Sequence, residues 1–200
     1  GEASRWWLHH SLKKLNESLN NNLCFYKGDP NKIIFEIVEK YKIKKVFWNR
    51  SYEPWQIKRD TKIKENLFKN NIEIKTFNSS LLWEPELIKK DDSTPYKVFT
   101  PFYKKGCLNS NPPKRPLNNQ PNLNCFKDDN SQTLNSLNLL TNFKWYSKLE
   151  KHWEVGEESA KKSLKTFINT GLSNYKKGRN FPAKKMFQNF HLIYILVKFL

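Results

Sequence analysis

An α/β fold is predicted for this chain: a Rossmann-like parallel sheet with flanking helices, followed by a linker and the start of an all-α domain. Three observations carry that expectation. Short strand-like runs take turns with amphipathic helices over the first hundred residues, an order that calls for parallel strands joined by helical crossovers. The apolar run Val46-Phe47-Trp48 turns through polar residues directly into a helix opened by Pro54. After residue 108 the composition changes abruptly to Asn, Pro and Ser.

Ser4 is placed to cap a first helix whose apolar positions Leu8, Leu12, Leu15 and Leu19 recur at helical spacing. Adjacent His9 and His10 point about 100° apart on such a helix and cannot chelate one ion from one face, so no metal role is expected. Leu23 to Tyr26 reads as a short strand closed by Gly28-Asp29-Pro30. The next helix repeats Ile33, Ile34, Ile37, Val38 and Tyr41. Residues 45–48 read as a buried strand, and the helix after it carries Ile57, Ile63 and Leu67 to about Asn70. Ile72 to Phe77 alternates as a further strand. The turn from Asn49 to Asp60 lies where parallel α/β sheets place their ligand crevice.

Residues 1–108 thus form the expected α/β domain, and 109–138, which lack any sustained period, the expected interdomain linker. Order returns at 139–185, where Ala160, Leu164, Phe167 or Ile168, Leu172 and Tyr175 share a helical face. Cys24, Cys107 and Cys125 stand far apart in no metal-ligand spacing, which predicts reduced thiols and a cytoplasmic protein. No apolar run reaches the roughly 20 residues a membrane span needs. The net charge of +17 is mostly lysine, with only five Arg among 36 basic residues, as AT-rich codons would produce. Its distribution says more: no acidic residue follows Glu158, while nine Lys and Arg do, a basic end suited to phosphates.

Five stretches resemble the DNA photolyase/cryptochrome family. They are Gly1-Glu2-Ala3-Ser4-Arg5-Trp6-Trp7-Leu8-His9-His10-Ser11-Leu12, then Asn49-Arg50-Ser51-Tyr52-Glu53-Pro54-Trp55 with Asp60, then Asn78 to Pro85, Pro95 to Tyr103 and Gly156 to Ala183. The first resembles the opening of an antenna-domain helix, which in the family is preceded by a strand and a helix; the resemblance implies that the first strand is missing here. The last is similar to the first helix of the flavin-binding domain, Gly-Glu-x2-Ala, Leu, Phe, Tyr-x3-Arg-x2-Pro.

That resemblance implies a fragment of a deoxyribodipyrimidine photolyase, a carbon–carbon lyase that splits cyclobutane pyrimidine dimers by light-driven electron transfer from reduced FAD. The alternative is a cryptochrome-type photoreceptor without repair activity. Tyr175 matches the family's FAD-touching tyrosine and Arg179 its arginine on DNA backbone phosphate; no catalytic residue is carried over. An antenna chromophore, folate or deazaflavin, is implied too. Trp55 and Gln56 stand where folate-binding members have an Asn-Glu pair, so the folate pair is not matched. Damaged DNA is the implied partner, the protein is expected to be monomeric and membrane-free, and the fragment alone is expected to be inactive.

After Lys185 the character shifts to the apolar run His191 to Val197, which matches nothing in the family. Back-translation with AT-rich codons and a two-base shift yields Ser-x-Leu-Ser-Pro-Tyr-Leu-x-Phe-Gly-Glu-Ile-Ser, the family's continuation. Residues 186–200 are therefore expected to be an out-of-frame tail.

Overall fold

A computed structural model describes residues 1–115 and 123–181; the expected out-of-frame tail lies outside them. By contact the chain forms two compact units. The first comprises Gly1–Ile34 with the described residues from Asn124 on, and the second is Phe35–Leu123.

The second unit holds the sheet and a short later helix, α4 (Phe99–Pro101). Strand β1 (Lys45–Asn49) pairs in parallel with β2 (Glu73–Phe77), in the register Lys45↔Glu73 to Asn49↔Phe77. Helix α3 (Pro54–Lys69) makes the crossover, with Pro54 at its first turn where no N–H is needed, and it packs against β2. It ends on left-handed Asn71, which lets Ile72 N–H reach back to Leu67 C=O at 3.1 Å. Ile63 and Leu67 of α3 are buried as expected, whereas Ile57 is half exposed.

β1 departs from the expected buried strand. Both strands alternate, with Val46, Trp48, Ile74 and Thr76 half-buried and Lys45, Phe47, Asn49, Glu73, Lys75 and Phe77 exposed. One-sided burial is what a sheet covered by a helix on one face requires. On the open face Lys45 and Glu73, direct partners in the register, form an ion pair at 2.7 Å.

In the first unit α1 (Glu2–Ser18) starts earlier than Ser4 suggests. Gly1 takes the cap position, with Arg5 N–H donating to Gly1 C=O at 3.2 Å, so Ser4 lies inside the helix. The buried face is also rotated. Trp6 and His9 are buried, while Leu8 and Leu15 of the predicted stripe are about half exposed. Large rings win this packing because each removes more apolar area from water than a leucine does. Trp6 meets the Trp153 ring edge-on at 4.9 Å, Tyr146 at 6.0 Å and His10 at 4.2 Å.

Leu23–Tyr26 forms no strand of the sheet. Only Phe25 bridges, antiparallel to Gln132, and the segment is held instead by side chains. Tyr26 hydroxyl donates to Asp128 at 2.6 Å and Lys27 to the Leu137 carbonyl at 3.3 Å. Helix α2 (Pro30–Lys40) follows, and buries Val38.

Helix α5 (Glu157–Thr166) begins after Gly156, whose φ of +111° favours glycine, and runs on through a π-helical turn, Phe167–Gly171. That wide turn rotates the residues beyond it. Ala160, Phe167 and Gly171 are buried, but Leu164, Ile168 and Leu172 of the expected stripe are exposed. A short helix, α6 (Tyr175–Gly178), closes the described chain.

Burial, reinforced by Lys13, lowers the His9 pKa below 6.5; burial, with His9 and Lys13 and against Glu150, does the same to His10. The unfolded chain therefore takes up protons first as pH falls. This share of stability is complete above 6.5 and is lost as pH drops from there through the lower folded-state values. Urea unfolding followed by Trp fluorescence at about pH 7.5 and 5.5 should show the midpoint falling with acid, and His10→Phe should flatten that fall.

Candidate functional site

At the carboxyl end of β1 the chain leaves the sheet through Arg50, Ser51 and Tyr52 before α3 begins. Arg50 stays tied to the sheet by its backbone, donating N–H to Phe77 C=O at 2.8 Å. Its side chain curls the same way. Nη1 donates to the Thr76 carbonyl at 2.7 Å and to Thr76 Oγ1 at 3.0 Å, while Nη2 donates to a carboxylate oxygen of Glu84. One planar guanidinium thus joins the ends of both strands to the segment after β2, a geometry that a lysine ammonium could not reproduce. Burial alone would lower the Arg50 pKa; the neighbouring Tyr52 and Glu84 oxygens outweigh it and hold the guanidinium charged, its pKa above the ordinary arginine value.

This staple forms one wall of a cavity of about 490 Å³. Trp48, Arg50 and Tyr52 line it from the strand and turn, Asp60 and Lys64 from α3, and Glu84 from the segment after β2. Such a crevice at a strand end is where the sequence places the ligand site. Asp60, nearly buried, is held by Arg59 through bonds of 2.8 Å from Nε and 2.7 Å from Nη2. Behind this wall Arg50 Nε and the Tyr52 hydroxyl are buried away from solvent without a well-formed hydrogen bond among the described residues, although Tyr52 stands close enough to Arg50 to favour its charge. A buried donor without a well-formed bond costs about 1–3 kcal/mol.

Trp55 and Gln56 do not line this cavity. Trp55 is 64% exposed, with the Arg59 guanidinium over its ring at 5.4 Å. In the other compact unit Tyr175 and Arg179 stand one helical turn apart. Arg179 N–H donates to Tyr175 C=O at 3.0 Å, and its guanidinium lies 5.9 Å from the ring centroid. Tyr175 is half-buried, edge-on to Phe167 at 5.6 Å, and Arg179 is exposed. Among the described residues no cluster of three or more His, Cys, Asp or Glu could hold a metal ion.

Glu84 is the site residue that sequence reading missed. It lies 34 residues from Arg50 in a stretch that reads as core, and its only signal is a carboxylate in a second motif, able to complement the arginine of the first. Removing either partner strands the other. Arg50→Met should destabilise the chain by about 1–3 kcal/mol, and a double-mutant cycle with Glu84→Gln should give a coupling near 1–2 kcal/mol. Urea unfolding of the four proteins measures both, and additivity within about 0.5 kcal/mol would show that the pair is uncoupled.

Comparison with known proteins agrees with this architecture. The sequence model of the family DNA photolyase matches residues 1–121. A deoxyribodipyrimidine photo-lyase of Agrobacterium fabrum is 33% identical over 189 residues, which cover 92% of this chain and 39% of the relative. Cryptochrome-1 of Arabidopsis thaliana is 28% identical over 90% of the chain and 27% of its own length. The crystal structure of a bacterial class III photolyase from Agrobacterium tumefaciens superposes with a TM-score of 0.76 at 31% identity, over 93% of this chain and 39% of that one. The chain spans well under half the length of these relatives, and it belongs to the DNA photolyase family, which includes the cryptochromes.

Proposed function

We propose that this chain is the front part of a deoxyribodipyrimidine photolyase, which splits cyclobutane pyrimidine dimers in DNA when complete. One observation carries the reading: over nine-tenths of the chain the identity to a photo-lyase is 33%, above the 28% to a cryptochrome over a similar share. In this reading 1–108 is the antenna domain, 109–138 the connection and 139–185 the start of the flavin domain.

When bound in the complete protein, reduced FAD supplies the electron that breaks the dimer. Tyr175 offers that cofactor a ring edge and a hydroxyl, and no more than one wall of a site. Arg179, exposed at the end of α6 beside exposed Lys176 and Lys177, suits a backbone phosphate. The cavity at Arg50 is the candidate antenna site. Trp48 gives it an aromatic surface, and Asp60, Lys64 and Glu84 give it polar and charged groups, a set that fits a planar heteroaromatic chromophore. A folate held by the Asn-Glu pair is disfavoured, because Trp55 and Gln56 bring no carboxylate and Trp55 is turned to solvent. A cytoplasmic monomer is consistent with the reading; among the described residues no helix is long and apolar enough to cross a membrane.

The cryptochrome reading is supported by Cryptochrome-1 of Arabidopsis thaliana, similar over 90% of the chain. Light-dependent splitting of a thymine dimer by a protein carrying this chain with a complete flavin domain decides between them: repair supports the photolyase, and its absence despite bound, photoreducible flavin supports the photoreceptor. In that protein Arg179→Ala should weaken binding to dimer-containing DNA and lower the salt slope by about one, with flavin content unchanged. Tyr175→Ala should lose flavin first. The 200-residue chain alone should keep no stoichiometric flavin band after desalting.

A further inference from the structure

The helix that opens at Phe99–Pro101 and continues through Phe102–Cys107 is anchored from one side. Gly106 and Cys107 are buried, and a Cβ on Gly106 would come within 2.7 Å of Ile88 and 3.1 Å of Tyr96. Phe102 sets its ring edge-on to Tyr96 at 6.3 Å. Two further rings, Phe99 and Tyr103, stand one turn apart and are left to solvent, 73% and 45% exposed. They are parallel to within 4°, with centroids 5.8 Å apart. Neighbouring Val98 is 63% exposed. Grouped exposed rings mark a binding surface more often than a lone exposed leucine does.

Charge identifies the partner. From Ser93 to Lys127 the sequence has no Asp or Glu, and Lys97, Lys104 and Lys105, all exposed, lie within two residues of the two rings in sequence. A purely apolar partner would gain nothing from three ammonium groups, and an acidic protein would leave the ring faces unused. A duplex keeps its base faces stacked inside. Unpaired bases beside a phosphate backbone use both features, since every base offers a π-face to stack and every phosphate a charge to neutralise. We propose that the Phe99–Tyr103 face is a binding platform for single-stranded DNA. The platform needs neither light nor flavin, and it stands on residues separate from Tyr175 and Arg179.

Fluorescence anisotropy of a labelled oligo(dT) of about 20 nucleotides, with the 200-residue chain in the dark, tests the platform. Affinity should fall steeply with salt. Tyr103→Ala and Phe99→Ala should each lower it by about tenfold, while Tyr103→Phe should keep it. Lys162→Ala with Lys165→Ala, which remove two exposed charges from α5, should change it far less than Lys104→Ala with Lys105→Ala. Melting temperatures of the variants check that each is folded. The platform is overturned if the folded alanine variants bind like the parent, because bulk positive charge then suffices. It is likewise overturned if duplex DNA or oligo(rU) competes better than oligo(dT), or if the face proves to be a self-association surface that Tyr103→Ala dissociates. Undamaged DNA in the dark keeps these outcomes independent of dimer repair.

Discussion

The guanidinium of Arg50 is the point on which the sheet-bearing unit depends. A two-stranded parallel sheet has few ladder bonds of its own, and isolated pairs of strands are marginal in water. Arg50 adds three side-chain bonds at the open end, two to Thr76 and one to Glu84. Those bonds fix the turn before α3 against the segment after β2, and between these two walls lies the cavity. The ion pair is only partly exposed, at 30% and 26%, so water screens it less than a surface pair. Holding the strand ends and bounding the cavity are therefore one physical task, done by one side chain.

Much of this was legible in the sequence. Pro54 after a polar turn, and an apolar strand before it, locate the crevice because both are local signals with a fixed structural meaning. Tyr175 and Arg179 fall one turn apart because their spacing matches the helical repeat. What escaped depends on partners distant in sequence. Leu23–Tyr26 has strand-like residues, but pairing needs a neighbour, and its partners are Asp128 and Gln132, about a hundred residues on. The α5 stripe assumed a continuous α-helical period, which the π-turn at Phe167–Gly171 breaks. On α1 the leucine pattern was clear, yet ring packing around Trp6 decides which face is buried.

The two units contrast in how polar groups are handled. Around Trp6 the core is aromatic, and it encloses His9 and part of His10, whose charged forms burial disfavours. Trp6 Nε1 and His10 Nε2 lack partners among the described residues, so this packing costs polar desolvation for the sake of ring contacts. Around Arg50 the guanidinium is bonded to Thr76 and Glu84, and polar and charged residues line a cavity. Orphaned polar atoms in a packed core weaken it, while polar groups that line a cavity select for a polar ligand.

Hydrogen–deuterium exchange of the wild-type chain against Arg50→Met tests most directly whether this arginine holds the site together. The amides of 74–88, covering β2 and the segment that carries Glu84, should lose protection, while α1 and α5 in the other unit keep theirs. Unchanged protection across 74–88, or a loss spread evenly over both units, would contradict the role given to Arg50.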